Sequence, residues 1–228
     1  MQSPQLSIIV PTYNERQNIA HLLGALCSLR LKCEILVIDD SSPDGTAKTA
    51  KEFSRNKKNI SVIVRKERGL ASAILCGVKH ARSSVICVID ADMQHPPEII
   101  PLLVESMKSN KSDIAVASRF LPGANIGFGM RRKLASKSGI ALAHFILPRT
   151  KQCTDPLSGF FAFRKSVING VQFDAIGFKF LLEMLARGKW ARISEVPYSF
   201  SGRKLGRTKL GWKEYIRFSK LLLKLRLP

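Results

Sequence analysis

Short blocks rich in apolar residues lie at 6–10 (LSIIV), 34–38 (EILVI), 60–64 (ISVIV), 85–89 (VICVI) and 113–118 (DIAVAS). Between the blocks apolar residues recur at three- and four-residue spacing, over 15–30, 44–55, 70–82 and 97–108. Continuous apolar blocks bounded by charge predict strands buried on both faces, and the spaced stretches predict amphipathic helices. The first half therefore predicts five strands alternating with four helices, an α/β fold with a Rossmann-like, mostly parallel central sheet flanked by helices. After residue 118 the pattern loosens. A glycine-rich loop, LPGANIGFGM, covers 121–130 and leads into a basic amphipathic stretch that ends near 147. DPLSGFFAFR follows at 155–164, then a helical pattern at 178–187, a late strand at 192–200 (RISEVPYSF) and a basic loop with three glycines, SGRKLGRTKLG, at 201–211.

The pattern closes on a C-terminal amphipathic helix. Lys213, Arg217, Lys220 and Lys224 fall on one helical stripe, and Trp212, Ile216, Leu222 and Leu223 cluster on a neighbouring face. Such a helix suits a membrane interface, with Trp and Leu inward and lysines toward headgroups, or a docking partner; it also suits a helix that caps the domain's own core. The expected organisation is one domain over 1–211 and this helix over 212–228.

At 228 residues the chain is long enough for one good-sized α/β domain. No segment offers eighteen uncharged apolar residues in a row, and no signal peptide pattern opens the chain, so a cytoplasmic location is the expectation. Cys27, Cys33, Cys76, Cys87 and Cys153 lack metal or redox spacing and are expected to be reduced core residues. The formal charge of +20 is the compositional outlier and calls for an anionic partner. Much of the basic charge lies late, in Arg131, Arg132, Lys133, Lys137, Arg203, Lys204, Arg207, Lys209 and the last helix, whereas the acidic clusters lie in the first hundred residues. That asymmetry favours an anionic substrate beside a metal site, or anionic lipid headgroups, over nucleic acid.

The most informative segment is VICVIDADMQHPPEII at 85–100. A buried strand runs into Asp90-Ala91-Asp92, and Pro96 and Pro97 suit the first turn of the next helix. Carboxylates two apart on extended chain point the same way, and the carboxyl ends of strands are where open α/β sheets bind ligands. Together they suit one hard cation, Mg²⁺ or Mn²⁺, whose shell is completed by water and substrate phosphates. A solvated acidic turn is the plain alternative. The turn after the first strand, Pro11-Thr12-Tyr13-Asn14-Glu15, lacks the glycine fingerprint of a dinucleotide site.

Five features then occur in order: PTYNE at 11–15, IDDSSPDGT at 38–46, DADMQHPPE at 90–98, Ser118-Arg119, and Arg203 followed at the sixth position by Lys209. This order resembles the family-2 glycosyltransferases of GT-A fold, and most closely the dolichyl-phosphate (polyprenyl-phosphate) mannosyltransferases, from Leu6 to about Lys213. The resemblance implies that Pro11, Tyr13, Glu15, Ile38 and Asp40 bind the donor's base and ribose, with Asp39 the structural member of its pair. Asp90, Ala91 and Asp92 would meet the diphosphate. Asp90, Asp92 and Gln94 would be the metal ligands, with His95 structural or one step behind them. Arg119 would face both donor and acceptor, and Arg132 and Ser136 would cradle the acceptor phosphate. Arg203 and Lys209 would close over the donor's diphosphate on a loop given mobility by Gly202, Gly206 and Gly211, and would share with Asp92 the catalytic work.

The resemblance further implies inverting, metal-dependent transfer of mannose from GDP-mannose to dolichyl or polyprenyl phosphate at the cytosolic face of a membrane, with Mg²⁺ or Mn²⁺. A UDP-sugar such as UDP-glucose is the alternative donor, and a non-catalytic nucleic-acid-binding protein is the alternative of another class. Three departures stand out. The loop after Arg119 usually carries an aromatic residue, often Trp, in relatives, whereas here it reads LPGANIGFGM at 121–130, without Trp, and is slightly short. Phe178 stands where relatives often have Tyr in GFKFLLE, which leaves Glu183 as the carboxylate of that segment, structural in role. Some relatives also carry membrane helices after the domain, so the route to the membrane is a small anchoring protein, the terminal helix itself, or a region beyond this chain.

Overall fold

A computed structural model describes residues 3–125, 127, 129–173, 179–200 and 212–226, and their side chains except at 130–132 and 212–217. Seven strands form one sheet: β1 (Leu6–Thr12), β2 (Cys33–Asp39), β3 (Ile60–Val64), β4 (Val85–Val88), β5 (Ile114–Ser118), β6 (Phe161–Arg164) and β7 (Ile193–Pro197). Among the described residues seven α-helices flank it: α1 (Arg16–Ser28), α2 (Thr46–Ser54), α3 (Leu70–His80), α4 (Ile99–Ser109), α5 (Met130–Ile146), α6 (Phe180–Arg187) and α7 (Trp212–Arg226). The alternation expected of the first half is present. α4 begins at Ile99, not at the prolines: Ile99 and Ile100 donate their N–H groups to the carbonyls of Pro96 and Pro97, which form the turn ahead of the helix.

The sheet order is β3-β2-β1-β4-β6-β5-β7, parallel throughout except that β6 runs antiparallel to both neighbours. The chain steps outward from β1 to β2 to β3, then returns to place β4 on the other side of β1. That reversal opens a crevice between the carboxyl ends of β1 and β4, where doubly wound sheets bind ligands.

Side-chain alternation explains the two layers. Leu6, Ile8 and Val10 of β1 face α1, with Ile100 and Leu103 of α4 in the same apolar cluster, whereas Ile9 faces the opposite cluster of α3 and α6. α3 reaches the sheet because Gly77 lies against Ile9, where a Cβ would come within 2.7 Å of its side chain. β6 was not anticipated as a strand. Phe161 and Phe163 are buried on one face and Phe160 and Ala162 on the other, so this segment is apolar on both sides and fits only inside the sheet, between β4 and β5.

α7 docks onto α5 and α6 through Leu221, Leu222 and Leu225, beside partly buried Phe218. Leu222 is fully buried and Leu223 is 60% exposed, so the two leucines grouped by sequence lie on different faces. Lys220 and Lys224 are exposed, and the side chains of Trp212, Lys213, Ile216 and Arg217 lie outside the described ones. Among the described residues, no helix is long and apolar enough to cross a membrane.

All five cysteines are free thiols. Burial pushes Cys33 up to about 11 and raises Cys87 and Cys153 as well, so these three are poor thiolates. In the native protein only the half-buried Cys27 and Cys76 are expected to react promptly with a thiol reagent, the other three following on unfolding. Mass spectrometry of the alkylated native chain checks this, and prompt labelling of Cys87 would contradict the packing of β4.

Candidate active site

At the end of β1 the backbone turns sharply: Asn14 adopts a left-handed φ of 57°. Its N–H donates to Ser42 Oγ at 3.0 Å and that of Glu15 to Thr46 Oγ1 at 2.9 Å, which stitches the turn after β1 to the turn after β2. Asp39 is fully buried and accepts from Thr12 Oγ1 at 2.9 Å and from the N–H and hydroxyl of Ser42 at 2.8 and 2.7 Å. Its role is to fasten these turns. Asp40 points the other way, accepting from Arg65 Nε and, at 2.9 Å, from the N–H of Gly69. Arg65 also donates from Nη2 to the Gly69 carbonyl and to Ser72 Oγ, both at 2.8 Å. The Arg68 guanidinium lies 4.6 Å from the centre of the Tyr13 ring, a cation–π contact.

These groups line a cleft of about 400 Å³ that includes Pro11, Tyr13, Glu15, Asp40, Arg68, Asp90, Ala91 and Asp92. Aromatic, proline and carboxylate groups in one cleft suit a base and ribose: a ring or Pro packs on the base, and carboxylates accept from N–H or hydroxyl donors. Ile38 does not join them. Its side chain is fully buried in the core with Leu36 and Ile74, so only its backbone remains near the turn, accepting from Thr12 Oγ1 at 3.4 Å.

Asp90 and Asp92 both face this cleft, as the two-residue spacing implies. Asp92 Oδ1 accepts the N–H of Gln94 at 3.1 Å, and Met93 takes a left-handed φ of 60° that tightens the turn. Gly159 leaves room behind Asp90, where a Cβ would come within 2.7 Å of Oδ2. Gln94 is buried and lines an adjoining recess of about 150 Å³ together with Asp90, His95, Arg119 and Lys179. The donor set fits a hard cation, being two carboxylates on one cleft wall with an amide nearby. Among the described residues there is no cluster of three or more His, Cys, Asp or Glu side chains that forms a complete metal cage. A cation here would need phosphate oxygens from the substrate to fill its shell.

Across the recess stands Arg119, at the end of β5. It donates from Nε and Nη2 to Asp155 at 2.7 and 2.8 Å, a bidentate pair, and its N–H reaches the same carboxylate at 3.2 Å. Burial works against the charge of Arg119, but the hydrogen bonds and charge of Asp155 outweigh it and hold its pKa above the ordinary value. Beside it opens a second cleft of about 530 Å³, lined by Arg119, Asn125 and Thr154 and, from one face of α5, Lys133, Lys137 and His144. Basic groups around an open cleft suit a phosphate.

Residues 7–171 match Glycosyl transferase family 2. The chain belongs to that family. It is 45% identical to the dolichol-phosphate mannosyltransferase of Pyrococcus furiosus over 227 residues, which cover 96% of this chain and 64% of that protein. To the dolichol-phosphate mannosyltransferase of Saccharomyces cerevisiae it is 34% identical over 239 residues, 98% of this chain and 87% of that protein. Solved structures of glucosyl-3-phosphoglycerate synthase from Mycobacterium tuberculosis are similar in fold at 17% identity. The complex with Mg²⁺ and uridine-diphosphate has a TM-score of 0.73 and covers 98% of this chain and 78% of that one. The complex with Mn²⁺, UDP-glucose and phosphoglyceric acid has a TM-score of 0.72 and covers 98% and 79%. The architecture is GT-A.

Within this glycosyltransferase fold the structure brings Pro11, Tyr13, Glu15, Asp40, Asp90, Ala91 and Asp92 together and sets Gln94 and Arg119 in the adjoining recess. Ser136 lies on α5, half-buried and next to Lys137, which lines the second cleft where Ser136 does not. The side chain of Arg132 lies outside the described ones, and Arg203, Lys209, Gly202, Gly206, Gly211 and Phe178 lie outside the described residues. Four contributors were missed: Arg65, Arg68, Lys179 and Asp155. Asp155 had a usable signal, being the only Asp or Glu between Asp113 and Asp174 in a stretch rich in Arg and Lys.

Proposed function

We propose that this glycosyltransferase moves mannose from GDP-mannose to dolichyl or another polyprenyl phosphate, with Mg²⁺ or Mn²⁺, at the cytosolic face of a membrane. The observation that carries the reading is the recess where Asp90, from the diphosphate side, and Arg119, from the basic side, line one continuous space. A donor in the first cleft and an anionic acceptor in the second would meet there. The family relationship to dolichol-phosphate mannosyltransferases supports the choice of sugar and lipid.

The chemistry asks for little proton transfer. A phosphate monoester is already a nucleophile at neutral pH, so its oxygen attacks the sugar's anomeric carbon without a general base. One bond forms from that oxygen to the carbon as the bond to the β-phosphate oxygen breaks, and the nucleoside diphosphate leaves from the opposite side with inversion. The chain's task is alignment: Tyr13 and Arg68 flank the base, Asp40 and Glu15 accept from it and the ribose, and Arg119 with Lys133 and Lys137 holds the acceptor phosphate in line. Asp90 and Asp92, with Gln94 beside them, would hold a divalent cation on the donor's diphosphate. When bound it supplies compensation for the negative charge on the leaving group. Arg203 and Lys209 would close on the same charge. The exposed Lys220 and Lys224 of α7 offer a basic surface for anionic headgroups.

The test is direct. Purified protein is incubated with radiolabelled GDP-mannose, a polyprenyl phosphate in detergent and Mn²⁺, and label extracted into organic solvent is counted. Lipid-soluble label that disappears with a chelator is the expected result, with a β-linked product from an α-linked donor. Transfer from UDP-glucose instead would reassign the donor, and a product of retained configuration would rule out single displacement.

A further inference from the structure

Behind Asp90 lies a buried polar pair inside an otherwise aromatic pocket. His95 is 4% exposed and packs among Phe160, Tyr198 and Phe200, with ring centroids 5.3, 5.6 and 5.3 Å away. Its Nδ1 lies 2.9 Å from the Tyr198 hydroxyl and its Nε2 lies 3.5 Å from Asp90 Oδ2. Tyr198 is itself buried, at 2% exposure.

The hydrogen-bonding order follows from what each group can do. An ionised carboxylate only accepts, so the imidazole nitrogen facing Asp90 is the one that carries a proton. In the neutral ring Nδ1 is then an acceptor, and Tyr198 donates to it. At 3.5 Å the ring lies beyond the usual hydrogen-bond distance of Asp90 but within ion-pair range, close enough to restrict how the carboxylate turns. Gly159 lies on another side of the same oxygen, where a Cβ would come within 2.7 Å of it. Asp90, whose side chain is 36% exposed, is thus bordered by a ring whose orientation is set by a buried phenol and by a glycine that leaves its carboxylate room.

The pair also connects the elements that border the site. Tyr198 donates its N–H to the Ser118 carbonyl, next to Arg119, and Phe200 exchanges backbone hydrogen bonds with Asn125 and Gly127 of the loop that follows. Three residues beyond Phe200 comes Arg203. We propose that Tyr198 and His95 are positioning residues that fix the orientation of Asp90 and so raise the affinity of the Asp90–Asp92 pair for a divalent cation bound together with a nucleoside diphosphate. Side chains one step behind a ligand orient it and raise its basicity, and losing them weakens metal binding about 10- to 100-fold. This rests on the reading of Asp90 and Asp92 as metal ligands. A histidine serving the core alone would contribute packing and one hydrogen bond and leave metal affinity unchanged.

The experiment titrates Mn²⁺ into the full chain with GDP present and follows the free ion by electron paramagnetic resonance, with thermal unfolding and metal-free GDP binding measured in parallel. Tyr198→Phe removes one oxygen from a packed ring and should weaken Mn²⁺ binding about tenfold without altering metal-free GDP binding. His95→Leu should weaken it further, and His95→Gln, which keeps an N–H near the Nε2 position, should recover part of the loss. Folded Tyr198→Phe and His95→Leu variants that bind Mn²⁺ as the wild type does would overturn the inference alone. A wild type with no GDP-dependent Mn²⁺ binding would overturn the metal assignment and this inference with it.

Discussion

Asp92→Ala is expected to reduce transfer by about 10³-fold or more, to near the detection limit, while the protein unfolds at nearly the wild-type temperature. The activity loss follows from where charge develops. On the proposed reading, the leaving diphosphate would gain negative charge beside Asp90 and Asp92, which line the donor cleft, and a cation held there would be its nearest compensation. The small stability effect follows from position: Asp92 is half-buried in a turn, not in the sheet's core, and Oδ1 accepts a hydrogen bond from the backbone of Gln94. Asp92→Asn keeps an oxygen for that N–H and loses the charge, so it should fold as well and remain nearly as inactive. The assay is organic-extractable label at saturating Mn²⁺, with a melting curve on the same preparation. Either variant retaining more than a tenth of wild-type turnover would mean that the diphosphate end lies elsewhere.

The first half of the chain disclosed its fold because each strand is a continuous apolar block and each helix a spaced one. Local periodicity suffices when every element obeys one period, whereas the crevice at the ends of β1 and β4 follows from the strand order that places β4 beside β1. β6 escaped because it is four residues long, follows a proline turn and runs against its neighbours. Its signal was the sequence Phe160-Phe161-Ala162-Phe163, which no single-faced element could bury. α7 shows the limit of a helical wheel: Leu222 and Leu223 are consecutive, about 100° apart around the axis, and only the neighbouring α5 and α6 decide which is covered.

For the site, residues within one turn were legible and their partners from distant elements were not. Asp90 and Asp92 announce a shared face by spacing, and Asp39 and Asp40 announce opposite ones. Nothing local says that Asp40 meets Arg65 from the end of β3, or that Ile38, inside a strand buried on both faces, turns its side chain into the core. Lys133 and Lys137 were visible as charge in a basic stretch, but their alignment with His144 along one wall of the second cleft needed the helix register to be fixed by packing. Long-range pairing is a property of the sheet order, which sequence periodicity leaves open.

Asp155→Asn is expected to cost stability more than any other single change in the site and to weaken acceptor binding at the same time. Asp155 is fully buried, and its two oxygens receive Nε, Nη2 and the backbone N–H of Arg119, whose side chain is 13% exposed. Removing one charge leaves a buried guanidinium without compensation and turns an amide donor toward another donor, a loss of about 3–5 kcal/mol. For a chain of this size that lowers the melting temperature on the order of 10 °C. If the second cleft takes the acceptor as proposed, the KM for polyprenyl phosphate should rise, because the guanidinium that lines that cleft is no longer held. Replacing both partners, Arg119→Met with Asp155→Leu, removes the unpaired charge and should restore much of the stability without restoring activity. Melting curves and acceptor titrations on the three proteins separate the two roles. A stable Asp155→Asn enzyme with unchanged acceptor KM would mean that Arg119 is fixed by its aromatic neighbours Phe120 and Phe200 and that the ion pair is dispensable.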